Sequence, residues 1–169
     1  RKTEIRIFDD VDVKKVVVKN SKLYVNRDEG FIGTSLRKDE FVEECSDIDD
    51  VIVFTQKGDM IVSRVESKKF IAKNILFASV FKKKDSRTIY NMIYKDGKTG
   101  ISYIKRFNVT GVTRDKLYNL TSQHPKSKVL HFSANPNGEG EVVTIQLRQN
   151  TSLKKLKWDL DFADLTIKG

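Results

Sequence analysis

Residues 49–60 read Asp49-Asp50-Val51-Ile52-Val53-Phe54-Thr55-Gln56-Lys57-Gly58-Asp59-Met60, and Ile61-Val62-Ser63-Arg64-Val65 follow. Two runs rich in β-branched and aromatic residues flank a short polar turn that contains a glycine. β-Branched side chains favour extended backbone, and glycine supplies the positive φ that a tight hairpin turn needs. The stretch therefore predicts a β-hairpin over 51–65.

The same scheme recurs on both sides. Residues 22–36 place Leu23-Tyr24-Val25 and Phe31-Ile32 around Asp28-Glu29-Gly30, and residues 89–107 place Ile89–Tyr94 and Ile101–Phe107 around Lys95-Asp96-Gly97-Lys98. A weaker copy is expected over 129–147, turning at Asn135-Pro136-Asn137-Gly138. The turn glycines Gly30, Gly58, Gly97 and Gly138 are 28, 39 and 41 residues apart. A period near 40 with several short strands per period is the spacing of a propeller-like array, whose small sheets bury their faces by stacking on neighbours. Further strands are expected at Val16–Val18, Ile75–Phe81 and Leu117–Leu120. No long 3.6-residue apolar stripe is present, so the fold class is all-β. Approximate repeats fall at 1–45, 46–85, 86–128 and 129–169, the last one cut short, as in an excised fragment.

Charge is unevenly distributed. Of the formal +9, residues 1–60 contribute 11 Lys/Arg against 14 Asp/Glu, and residues 61–169 contribute 21 against 9. A basic surplus favours a polyanion, because each neutralised phosphate releases counterions. Lys82-Lys83-Lys84 with Arg87 is the densest group, and Lys68-Lys69, Lys105-Arg106 and Arg114 stand near other strand ends. Lys68-Lys69 and Lys105-Arg106 fall at comparable repeat phases, which predicts neighbouring points on one rim. The plainer reading is that lysines solubilise exposed turns. No apolar run approaches the ~20 residues that a membrane helix needs, so no membrane partner is expected. The single Cys45 rules out an internal disulfide and suits a reducing cytoplasm.

Catalytic chemistry finds little support. Cys45, His124 and His131 lack metal-ligand spacing, and Gly138-Glu139-Gly140 lacks the Lys-Ser/Thr of a phosphate loop. The carboxylate pairs Asp9-Asp10, Glu43-Glu44 and Asp49-Asp50 could hold Mg²⁺ in a nuclease. Each stands just before a strand, where charge ordinarily faces solvent and blunts sheet edges, and the nuclease reading is set aside.

The run Asp49–Met60 resembles the repeat of the C-terminal domain of bacterial type II topoisomerase A subunits, in which an acidic residue, an apolar strand, Phe-Thr and a turn glycine recur. Gly100-Ile101-Ser102-Tyr103-Ile104-Lys105-Arg106-Phe107 resembles that family's second hairpin arm. Glu29-Gly30-Phe31-Ile32-Gly33-Thr34 keeps the frame with Gly33-Thr34 where Lys-Arg would stand. Arg1-Lys2-Thr3-Glu4-Ile5 resembles the junction into the domain. The similarity covers most of the chain and is strongest over residues 22–120. It lacks the Gln-Arg-Arg-Gly-Gly-type box of gyrase A subunits, which favours topoisomerase IV of Bacteroides-like bacteria.

The resemblance implies a β-pinwheel of four-stranded blades, here a fragment of about four. It implies duplex DNA bound without sequence preference and bent around a basic edge, with Lys68, Lys69, Lys82, Lys83, Lys84, Arg87, Lys105, Arg106 and Arg114 as phosphate contacts. No catalytic residue, metal or cofactor is expected in this part. In the parent enzyme ATP and Mg belong to other domains and other polypeptides. The implied partners are the ATPase B subunit and the N-terminal catalytic part of the same polypeptide. The isolated domain is expected to be a monomer, in the bacterial cytoplasm with the nucleoid. The alternative is a propeller-type protein-interaction module with a basic edge.

Overall fold

The described residues build thirteen strands: β1 Ser21–Asn26, β2 Phe31–Gly33, β3 Glu40–Cys45, β4 Asp50–Thr55, β5 Asp59–Arg64, β6 Lys69–Phe70, β7 Ile75–Phe81, β8 Ile89–Lys95, β9 Ser102–Phe107, β10 Leu117–Asn119, β11 Lys128–Asn135, β12 Val142–Gln146 and β13 Lys157–Asp161. The computed structural model describes residues 19–149 and 152–168. The expected strand at Val16–Val18 and the pair Asp9-Asp10 lie outside them.

The strands form antiparallel sheets in the orders β3-β1-β2-β6, β10-β5-β4-β7, β11-β8-β9 and β12-β13. The hairpins expected over 22–36, 51–65 and 89–107 are β1–β2, β4–β5 and β8–β9. The all-β expectation and the array of small blades both hold. The turn at Asn135–Gly138 is a correction: β11 pairs with β8, and β12 pairs with β13, so this turn joins two sheets instead of closing a hairpin. Turn chemistry identified the bend, but which strands pair across it depends on tertiary packing.

Strands are exchanged between neighbours. β6 follows the second hairpin in sequence yet pairs with β2 of the first sheet, and β10 follows the third hairpin yet pairs with β5 of the second. In the third sheet the same place beside β9 holds a single parallel bridge from Phe107 to Lys168. The exchange is fixed by matching backbone hydrogen bonds. Ile71 donates to the carbonyl of Gly30 (2.8 Å) and Ile75 to that of Arg27 (2.9 Å). One unit later Leu120 donates to Gly58 (2.8 Å) and Val129 to Gln56 (2.8 Å). Each hairpin turn is thus clamped by the connection that leaves the exchanged strand.

Two strands are buried on both faces, since successive side chains of a strand point to opposite sides. Along β4, Val51 and Val53 pack with Leu23, Val25 and Ile32 of the first sheet, while Ile52 and Phe54 pack with Tyr90 of the third. Around Phe54 an aromatic group gathers: its ring centroid lies 4.6 Å from Phe132 and 4.8 Å from Tyr90, and Tyr90 lies 5.6 Å from Phe107. Such pairs contribute about 0.5–1.5 kcal/mol each beyond area burial. Burial pushes the Tyr90 hydroxyl up to about 12.

The third turn is held by a carboxylate. Asp96, 4% exposed, accepts hydrogen bonds from the hydroxyls of Ser122 and Thr99 and from the backbone of Thr99 (3.0 Å). These bonds, the Ser122 hydroxyl first, hold its carboxyl well below the ordinary 3.8. A depressed folded pKa gives stability that is complete above the unfolded value and is lost as pH falls through the folded one. Acid titration followed by circular dichroism should therefore show stability declining below about pH 4, and Asp96→Asn should flatten that decline. A Cβ on Gly30 (φ 83°) would lie 2.2 Å from the backbone oxygen of Ala72, whereas one on Gly58 (φ 88°) would meet only the Thr121 methyl at 2.2 Å. Backbone yields less than a rotatable methyl. Gly30→Ala should cost about 1–3 kcal/mol in urea unfolding, and Gly58→Ala less.

Candidate nucleic-acid interface

The loop between β7 and β8 is folded by its one acid. The Asp85 carboxylate accepts the Arg87 amide (2.9 Å) and the Thr88 hydroxyl (2.7 Å), and the latter bond is the chief cause of its lowered pKa. Lys84 takes a left-handed φ of 66°, and its amide donates to Thr110 (2.7 Å). With Asp85 so occupied, Lys82, Lys83, Lys84 and Arg87 stand exposed, and among the described residues none of them forms an ion pair. Lys68 is also exposed, its ammonium 4.4 Å from the centre of the Phe31 ring.

The other four expected contacts are committed to the fold. Lys69 sits between Glu66 (2.8 Å) and Asp115 (2.9 Å), which hold its pKa up, and so ties β6 of the first sheet to the lead into β10 of the second. Arg114 grips Asp50 with two bonds of 2.9 and 3.0 Å. Lys105 is half-buried and donates to the Leu120 carbonyl; burial, with Lys168 nearby, lowers its pKa. Arg106 donates to the carbonyls of Ala163 (3.3 Å), Leu165 (3.4 Å) and Gly138 (3.3 Å).

The expected equivalence of Lys68-Lys69 with Lys105-Arg106 is corrected by the topology. β6 is an exchanged strand, whose counterpart is β10, so Lys68-Lys69 corresponds to the region of Arg114–Lys116. Lys105 and Arg106 lie in the hairpin strand β9, opposite the buried Met92 and Asn91 of β8. That inner position is why both are half-covered.

The carboxylate pairs have structural work. Glu43 accepts the Val80 amide (2.7 Å), Asp49 accepts that of Ser46 (2.8 Å), and Asp50 holds Arg114. Among the described residues no three of His, Cys, Asp and Glu gather as metal ligands. Cys45 is fully buried, which raises its thiol pKa. At the far end of the third sheet Lys95, Lys98, Lys126 and Lys128 come together around one concavity. The basic clusters sought in sequence missed them, because two short segments contribute two lysines each. A reading of Lys-Asp-Gly-Lys as charge as well as turn would have flagged half of the group.

A family model described as the topoisomerase C-terminal domain of Bacteroidota matches residues 22–169. The A subunit of DNA topoisomerase 4 from Borreliella burgdorferi is 34% identical over 137 residues, which cover 80% of this chain and 21% of that protein. The chain thus spans about a fifth of the length of that curated relative. No solved structure matches. With its all-β blades and exchanged strands, the chain belongs to the bacterial topoisomerase C-terminal domain family, as a C-terminal domain of a type II topoisomerase A subunit.

Proposed function

We propose that this domain binds duplex DNA without sequence preference, bends it, and presents it to the catalytic part of a type II topoisomerase while doing no chemistry itself. The observation that carries the reading is the loop 82–87, where four exposed cations surround an aspartate already consumed by the loop's own fold. Lysine ammonium groups act as strong, orientation-tolerant point charges, which suits a repeating phosphate backbone better than a particular base edge. Lys68 extends the contact, and Lys69, Lys105, Arg106 and Arg114 serve first to hold the sheets that present it. Their use as direct phosphate contacts would require them to leave intramolecular partners.

The whole enzyme's activity follows in the same reading. DNA cleavage and its Mg belong to the N-terminal part of the same polypeptide, and ATP to the B subunit, with this domain as a cofactor-free arm. The setting is the bacterial cytoplasm, in contact with the nucleoid, and the isolated domain is a monomer.

Fluorescence anisotropy with a mixed-sequence duplex tests this reading. The logarithm of affinity should fall linearly with the logarithm of salt concentration, and two unrelated sequences should give the same line. Reversing Lys82, Lys83 and Lys84 to Glu should reduce the slope by about 2–3, from the ~0.9 per phosphate contact expected on B-form DNA. Salt-independent binding, or no binding at low salt, would leave the protein-interaction alternative standing.

A further inference from the structure

The third sheet carries a second basic site at the end opposite the loop 82–87. Its hairpin turn supplies Lys95 and Lys98, and the segment that crosses back toward β11 supplies Lys126 and Lys128. All four are exposed, and they line a concavity of about 490 Å³. Among the described residues none of the four is in an ion pair.

Two features set this group apart from lysines that merely solubilise a turn. The first is that Lys95 and Lys128 are direct cross-strand partners in the β8–β11 ladder. Like charges placed opposite each other in a sheet destabilise it, and a carboxylate at either position would remove the repulsion. The second is that the one acid in the lining, Asp96, forms no ion pair with any of them. It is buried and turned to Ser122, Thr99 and the backbone of its own turn. The sheet thus keeps a repulsive pair beside two more cations, four positive charges against the single carboxylate of Asp96 in the lining. An external anion would relieve that excess.

We propose that this end of the third sheet is a second phosphodiester-binding site, separate from the loop 82–87, so that one domain contacts DNA at both ends of a blade. This rests on the DNA-binding reading above. The four ammonium groups present rotatable point charges at high density, which suits the regularly spaced phosphates of a duplex. The strands of the third sheet run between the two sites, from Arg87 ahead of β8 to Lys95 at its end. Seven residues of strand span ~23 Å, so the sites are independent contacts.

The test uses the full 169-residue chain with Lys98, Lys126 and Lys128 changed to Glu, beside the Lys82/Lys83/Lys84 reversal and their combination. The turn-end variant should lower the salt slope by about 2–3 and weaken duplex binding at least about tenfold at 0.1 M salt, with the combined variant weaker than either. Lys128→Glu alone should also raise the melting temperature by about 1–3 °C, because it turns the repulsive pair with Lys95 into an attractive one. Weaker binding with higher stability is the signature of a site kept for a ligand. If wild-type chain binds duplex and the turn-end variant binds with the same slope, this site is overturned while the DNA reading stands. If wild-type chain binds no DNA, both fall. Unchanged duplex binding with lost binding of polyglutamate would assign the site to an acidic protein segment and overturn it equally.

Discussion

The array depends on central strands that are apolar on both faces. β4 packs Val51 and Val53 toward one neighbour and Ile52 and Phe54 toward the other, each at most 2% exposed. Full burial of such side chains is worth about 1.5–3 kcal/mol apiece, against about 0–1 kcal/mol for an exposed ion pair. Stacking of sheet on sheet therefore outweighs the surface charge network as the source of cohesion. The strand exchange of β6 and β10 then adds backbone hydrogen bonds across the seam that this packing has closed.

That ordering frees the surface charge for another use. Ion pairs such as Lys69–Asp115 and Arg114–Asp50 lie along the exchanged-strand seam and set how adjacent sheets meet. The loop 82–87 and the lysines around Asp96 hold exposed cations that form no ion pair among the described residues. In both places the nearby aspartate is hydrogen-bonded into a turn, which gives a rigid backbone beneath an excess of positive charge. Rigid presentation lowers the ordering cost of binding a stiff polyanion.

The hairpins were legible because each carries its information locally: β-branched arms, a polar turn and a glycine at the point of positive φ. The exchanged strands were harder. Leu117–Leu120 was expected as a strand from its composition, but β6 is only Lys69–Phe70 and has no periodicity to read. Its pairing with β2 follows from where the connection can travel over the Gly30 turn, a property of two units together. The same limit governs the charges. Lys105 and Arg106 look in sequence like any basic strand end, yet they pair opposite the buried Met92 and Asn91 and are drawn into the structure. Lys95 and Lys128 face one another only because β11 returns to β8 and not to β12.

The seam beyond the third sheet is built differently from the others. Asn91 lies opposite Arg106 in the β8–β9 register, is fully buried, and has among the described residues no hydrogen-bond partner for either side-chain amide atom. On that face Arg106 reaches three backbone carbonyls, while Glu141 accepts from Ser133 and pairs with His131. An unsatisfied buried amide costs about 1–3 kcal/mol, a loss that valine or leucine there would avoid. Apolar packing gives strength with little directional preference, whereas a guanidinium held by three carbonyls fixes an angle. Polar bonds at Arg106 and Glu141 thus join the fourth unit to the third alongside the buried Phe162, whose ring lies 6.1 Å from that of His131. The angle between the third and fourth units is the property that such a seam controls.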